Sequence, residues 1–456
     1  MSSRHGAGLG WVGSRATAAL VGLRRVVLWL DAMRRRRGVW ASWGWAGAAG
    51  GVAALLAWAM APVGWAAGPL PALGPEDGGF AQVLGPRGFE FPPDHGPHPE
   101  YRQEWWYFTG NLDSGTGERF GFELTFFRFG LTPGGDRLGD AAADTKSEVA
   151  PGAKRSAESG VQSAWRARQI YMAHFAVTDV ARQRFRFAEK VSRAAVGLAG
   201  ARNPPLRVWV DDWVLEDVGA EIAAGARVAG SVVSAATGGG AGAQDHGHWK
   251  LHAAEEGYEL TLDAEALQAP VLNGDRGFSA KSSTPGSASY YYSIPRVAVH
   301  GQLVRDGKIQ EVHGLAWMDR EWGSGSLEQQ GWDWFALHLR DGGSLMFYSL
   351  RGRDGRRDSH SAGTWVSATG EVRRLAADDV QIDVLDYWKN PRGERYPSRW
   401  RVRVPTVGVD VEARPVLADQ ELTTASRYWE GAVDLVAAGA KSGGRGYVEL
   451  VGYAAQ

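Results

Sequence analysis

The sequence contains no cysteine. That absence removes a disulfide framework, a thiolate nucleophile and any cysteine-ligated zinc site. The chain also lacks a strong charge of either sign, with a formal net charge of -1. The balance is uneven, because residues 1–67 hold eight arginines, no lysine and one acid, Asp31. The remainder is mildly acidic, so nothing in its charge favours nucleic acid as a partner. After residue 67 no stretch of 18 uninterrupted apolar residues occurs, and no helical pattern exceeds about ten residues. A G-x-S-x-G elbow, an H-E-x-x-H pair and a glycine-rich phosphate loop are likewise missing.

What is abundant is glycine, with 62 residues, and tryptophan, with 21, in a chain of 456. Together with short alternating runs, this predicts an all-β protein with tight turns. One series of strands includes FGFELTFFRFG, YMAHFAVTDV and ASYYYSIPRVAVHGQLV; a second begins near residue 311 with EVHGLAWMDREWG and GWDWFALHL. In LHLRDGGSLMFY, Asp341-Gly342-Gly343 predicts a hairpin turn. Residues 135–163 read as a low-complexity insertion. The expected division is a leader over 1–67, an N-terminal domain over 68–300 and a C-terminal domain over 301–456.

The leader carries Arg34 to Arg37 before a stretch rich in Ala, Gly, Val and Leu, with small residues at Gly64, Ala66 and Ala67. This is the pattern of an export signal starting at Met33, with residues 1–32 as an upstream mis-start and cleavage near Ala67. The arginines also suit the twin-arginine route. Export to the periplasm or beyond is the expectation; left uncleaved, residues 44–65 would instead anchor the chain in a membrane.

Candidate functional residues cluster in two places. In RQEWWYFTGNL, Glu104 stands beside four aromatics, and alternation puts Glu104, Trp106 and Phe108 on one face and Trp105, Tyr107 and Thr109 on the other. A strand aromatic on both faces suits one packed between its own barrel core and a second barrel. Glu104 is then a buried acid, catalytic or paired, with Arg128 as a candidate partner. In MDREWG, Asp319 and Glu321 share a face, and two close carboxyls can raise one pKa as a general acid requires. Alternatively, Arg320 bridges one of them in a structural ion pair. Trp332, Trp334 and His338 share one face of GWDWFALHL, and with Trp106, Tyr292 and Trp322 they are candidates for lining an apolar site. His174 and His313 read as core histidines, and DHGHW (245–249) as too sparse for zinc.

HPEYRQEWWYFTGNL, FGFELTFFR, QIYMAHFAVTDV, SASYYYSIPR, GLAWMDREWGSGSL, QQGWDWFALHL, YWEGAVDL and GYVELVGY, in that order, resemble the AttH-like/carotenoid 1,2-hydratase family from about residue 80 to 456. The resemblance implies two packed lipocalin-like β-barrel domains and no metal or organic cofactor. It implies an apolar substrate such as an isoprenoid, with hydration, another cofactor-free acid–base reaction, or hydrolysis as its chemistry. A lipid-binding module without chemistry, working with an envelope transport partner, is the competing expectation. The chain departs from the carotenoid-hydratase pattern. Arg320 stands where those enzymes carry a histidine, and LMFYSLR lacks the acid of their Tyr-x-Asp.

Overall fold

The computed structural model describes residues 79–133, 168–219, 246–325, 331–352, 354–437 and 443–454. The leader, the 135–163 insertion and Asp245 of DHGHW lie outside these. No helix among the described residues is long and apolar enough to cross a membrane.

The chain opens with a strap, Phe80–Tyr101, that contains a 3-10 turn at Pro93–His95. Strands β1 (Gln103–Ser114), β2 (Arg119–Gly130), β3 (Gln169–Asp179) and β4 (Arg184–Arg193) follow as a meander. Next come β5 (Ala199–Arg202), β6 (Arg207–Val210), β7 (Trp213–Asp217), β8 (His248–Glu255) and β9 (Tyr258–Ala266). Two short strands, β10 (Val271–Leu272) and β11 (Phe278–Ala280), precede the long hairpin of β12 (Ala288–Arg305) and β13 (Lys308–Gly323). These 13 strands make one sheet, ordered β4-β3-β2-β1-β13-β12-β9-β8-β7-β6-β5, with β10 and β11 on β12. All pairings are antiparallel, and the sheet curls until β3 and β4 meet β5 and β6, a nearly closed barrel.

The second sheet holds β14 (Gly331–Leu339), β15 (Ser344–Arg351), β16 (Ala362–Val366), β17 (Val372–Ala376) and β18 (Gln381–Lys389). It is completed by β19 (Arg395–Val404), β20 (Val409–Pro415), β21 (Glu421–Thr423), β22 (Arg427–Ala437) and β23 (Gly444–Val451). Its order is β17-β16-β15-β14-β23-β22-β20-β19-β18, a half-barrel with β21 on β22. The expected hairpin forms, with Leu339 N–H donating to Gly343 O at 2.8 Å. Its Gly342 sits at φ +92°, which a side chain would strain.

The change of sheet falls between Gly323 and Gly331, not near residue 300. The reason is pairing: β13 is the strand that joins β1 to β12, so the first sheet is incomplete without it.

Alternation explains the core. Trp106, Phe108, Phe122, Leu124, Phe126, Trp213, Trp249, Tyr292 and Trp322 fill the inside of the first barrel. Phe335, Leu337, Phe347, Trp400 and Trp429 fill the concave side of the second sheet. A third cluster, with Tyr107, Tyr291, Trp317, Trp334, Ala336, Tyr348 and Tyr447, occupies the seam where β1, β2 and β12 lie against β23, β22 and β15. Strand β1 is therefore buried on both faces, as the unbroken EWWYF run implies.

Candidate active site

The two faces of β13 carry different chemistry. Toward the barrel interior, Arg320 Nη2 donates to Glu104 Oε2 at 2.8 Å, and Arg128 Nε donates to Glu104 Oε1. The His98 backbone N–H adds a bond to the same carboxylate at 3.1 Å. Arg320 also bonds Gly96 O at 2.5 Å and Trp105 O at 2.8 Å, and its guanidinium lies 4.0 Å over the Trp106 ring. His98 stacks on Trp322 at 3.9 Å and bonds Asp94, which Arg87 also holds. Burial opposes the charge on Glu104, but Arg128, the His98 bond and Arg320 outweigh it and keep the carboxyl well below its usual range. An acid so firmly ionised has no proton to deliver. Glu104 is the anchor that ties the strap over one end of the barrel.

Three expected ligand-lining residues belong to the same anchor. Trp106 Nε1 donates to His95 O at 2.9 Å, the Tyr292 hydroxyl meets His95 Nδ1 at 2.6 Å, and Trp322 lies beneath His98. The expected alternative of Arg320 bridging Asp319 or Glu321 does not occur, because consecutive residues of a strand face opposite sides.

Asp319 and Glu321 share the other face, as their spacing predicts, and look into the seam. Asp319 is buried. Its Oδ2 accepts from the Tyr291 hydroxyl at 2.6 Å, and its Oδ1 accepts from Ser293 at 2.5 Å and from Trp317 Nε1 at 2.7 Å. No cation bonds it. Burial pushes its carboxyl up to about 7, against those three bonds and with help from the charge of Glu321. Glu321 accepts from Ser289 and pairs with Lys281 Nζ at 2.9 Å. Lys281 also lies 4.3 Å over the Tyr348 ring.

Register places these groups in rows. Glu189, His174, Thr125, Tyr107, Asp319 and Ser293 are successive cross-strand partners over β4, β3, β2, β1, β13 and β12. From the second sheet, Glu430, Glu449, Trp334 and Tyr348 form a matching row over β22, β23, β14 and β15. The rows meet: Tyr107 donates to Glu430 at 2.5 Å, and Trp334 Nε1 donates to the Tyr291 oxygen at 3.1 Å. Trp332, Trp334 and His338 thus lie on the seam side of β14. His338 is less polar in effect than its type suggests: its Nε2 bonds Pro295 O at 2.6 Å and burial lowers its pKa to about 4.

Three further acids converge here, none singled out from the sequence. Glu123 accepts from Thr125 at 2.9 Å and Tyr428 at 3.2 Å. Burial raises Glu123 and Glu430, and it lifts Glu449 to about 8 with the charge of Glu123 adding to it. Each stands at a seam-facing phase of an aromatic-rich run, in FGFELTFF, YWEGAVDL and YVELVGY. That is the signal that would have found them. His174 is buried with both nitrogens engaged, whereas His313 is exposed rather than in a core. It pairs with His300 toward the turn end of the β12–β13 hairpin. Among the described residues, no group of three or more His, Asp or Glu side chains is arranged to hold a metal ion.

The seam therefore gathers five acids, Asp319, Glu321, Glu123, Glu430 and Glu449, against Lys281 and His174. With acids in excess and buried among aromatic faces, the Asp319 carboxyl is pushed up to about 7 and that of Glu449 to about 8. Such a site can protonate carbon and stabilise the resulting cation.

Known proteins bear on this geometry. A crystal structure of an AttH protein from Nitrosomonas europaea matches with a TM-score of 0.64 and 32% identity, covering 82% of this chain and 100% of that one. Kievitone hydratase from Nectria haematococca shares the fold at a TM-score of 0.55 and 12% identity, over 81% of this chain and 96% of that chain. In sequence, this chain is 22% identical to kievitone hydratase of Fusarium solani subsp. phaseoli over 44% of its own length and 59% of that protein. It is 25% identical to the dehydratase asqC of Emericella nidulans, over 37% and 48% respectively. The chain thus spans about half the length of these two relatives. The AttH-like family model matches residues 82–453, nearly everything the structure describes, and the chain belongs to the AttH-like family.

Proposed function

We propose that this protein adds water to a carbon–carbon double bond of an apolar, isoprenoid-like substrate, or removes it from the corresponding alcohol, by acid–base catalysis at the seam. The observation that carries this reading is Asp319, a buried carboxyl held by three neutral donors and, among the described residues, by no cation. In its protonated form it is the proton donor, while Tyr291 and Ser293 fix its orientation. Trp317, Trp334, Tyr107 and Tyr348 present aromatic faces to a developing tertiary cation. Relatives named hydratase and dehydratase support the same pair of opposite directions. The leader pattern at Arg34 to Arg37 supports export.

The test is incubation of purified protein with a panel of isoprenoid alkenes in heavy-oxygen water. Label incorporation that is lost in Asp319→Asn supports the reading. A protein that incorporates no label, and that retains only unchanged lipid whether Asp319 is present or replaced, would favour the lipid-handling alternative instead.

A further inference from the structure

Glu123 and Glu430 come from different sheets, on β2 and β22, and both are buried to 1% exposure. Each has one oxygen engaged by ordinary donors, Thr125 and Tyr428 for Glu123, Tyr107 for Glu430. The remaining oxygens, Oε2 of each, meet no N–H or O–H of another residue. The strands that carry them interlock, Tyr428 of β22 reaching Glu123 at 3.2 Å and Tyr107 of β1 reaching Glu430 at 2.5 Å, and each carboxyl acts on the other. Two buried carboxyls so placed, with no cation bonded to either among the described residues, repel unless a proton is shared between them. The Thr109 hydroxyl, the cross-strand partner of Glu123, is also buried and unpartnered at this place.

A chain of bonds leads from this pair outward. Tyr428 reaches His174 Nδ1 at 2.6 Å, and His174 Nε2 reaches Glu189 at 3.1 Å, whose side chain is 18% exposed. Donor and acceptor counting allows two states of it. In one, His174 carries two N–H groups, donating to Glu189 and to Tyr428, and Tyr428 donates to Glu123. In the other, Tyr428 donates to a neutral His174, and Glu123 donates to Tyr428. Passing from the first to the second moves one proton from His174 to Glu123 without moving any heavy atom.

We propose that Glu123 and Glu430 hold one proton between them and form a second acid–base centre in the seam, with Tyr428, His174 and Glu189 as its route to solvent. The catalytic use of this centre rests on the hydratase reading. Protonated Asp319 gives its proton to one alkene carbon, making the C–H bond from the π pair. A water oxygen then forms the C–O bond at the other carbon and releases a proton to the Glu123–Glu430 pair. That proton leaves through Tyr428, His174 and Glu189, and solvent returns one to Asp319. Alkene plus water becomes alcohol, and both centres are restored. Among the described residues, the titratable groups facing the pair are Tyr107, His174, Tyr428, Tyr447 and Glu449, with Glu189 beyond His174 and Asp319 one strand beyond Tyr107.

Infrared difference spectroscopy of the full chain tests the pair without any substrate. An Asp319→Asn/Asp333→Asn/Asp419→Asn/Glu449→Gln background silences the other raised carboxyls. There, at neutral pH, one protonated-carboxyl band is expected, and adding either Glu123→Gln or Glu430→Gln should abolish it. A band that survives both additions, or a background with no band, overturns the pair. If a glutamine variant fails to fold, the background spectrum alone decides. For the route, the band should exchange on mixing with deuterium oxide at least tenfold more slowly in His174→Phe; equal rates overturn it. Loss of the pair leaves the assignment of Asp319 standing, and a chain inert toward every alkene leaves the spectra standing.

Discussion

Asp319 and Arg320 are consecutive on β13 yet point to opposite sides of it, and no hydrogen bond or ion pair joins them. Arg320 is spent on Glu104 and the strap, 2.8 Å from that carboxylate. Asp319 is consequently left among neutral donors. An acid beside an arginine in sequence is usually read as neutralised. Here the strand pleat separates the pair, and that separation leaves the Asp319 carboxyl without the arginine that would lower its pKa.

Replacing Asp319 by Asn should lower turnover by roughly 10²–10⁴-fold, the usual worth of a positioned general acid. The amide fits the same space and can keep bonds to Tyr291 and Ser293. Thermal unfolding should therefore change little while the rate collapses. Steady-state kinetics beside calorimetry separates the two.

The same carboxyl sets a pH dependence whose sign is fixed. Its folded pKa, about 7, lies above the ordinary value of 3.8, so between these values the folded state binds more protons than the unfolded state. Its contribution to stability is complete below the unfolded value and is lost as pH rises through the folded one. Turnover should fall over the same upper limb, as the donor loses its proton. Asp319→Asn should flatten this part of the stability curve measured by denaturant titration.

Neighbouring charges should move that limb in opposite directions. The charge of Glu321 raises the Asp319 pKa, so Glu321→Gln should shift the limb to lower pH. Lys281 pairs with Glu321 and interacts with Asp319, so Lys281→Met should shift it to higher pH. A pH–rate profile of each variant gives the answer; shifts in the same direction would contradict the arrangement.

On the barrel side, Glu104→Gln should act on stability. It leaves Arg128 and Arg320 buried without their carboxylate, and uncompensated buried charge costs about 3–5 kcal/mol. Chemical denaturation should register this loss, and activity per folded molecule should persist.

Much of the frame was legible in the sequence because a strand pleat has a fixed period. Alternation gave the two aromatic faces of β1, the shared face of Asp319 and Glu321, and the seam face of Trp332, Trp334 and His338. Arg128 was identifiable as a partner for Glu104 because a short turn separates their strands. The Glu123, Glu430 and Glu449 cluster was not, since Glu430 and Glu449 pair on adjacent strands of the second sheet and meet Glu123 only by packing of one sheet on the other. Lys281 was missed because it follows the three-residue strand β11, too short for its place beside β12 to show in the pattern. The boundary near residue 300 failed because composition does not show that β13 is the strand joining β1 to β12.

That long-range pairing also orders events in time. Gln103 meets Gly323, so β1 waits for almost the whole first sheet to be synthesised before its second edge is covered. Pairings so distant in sequence close slowly. Until they do, the EWWYF run is exposed on both faces of an open edge, a hazard for self-association. The interval before its thirteenth strand is made is therefore when this chain is most open to pairing with another copy of itself.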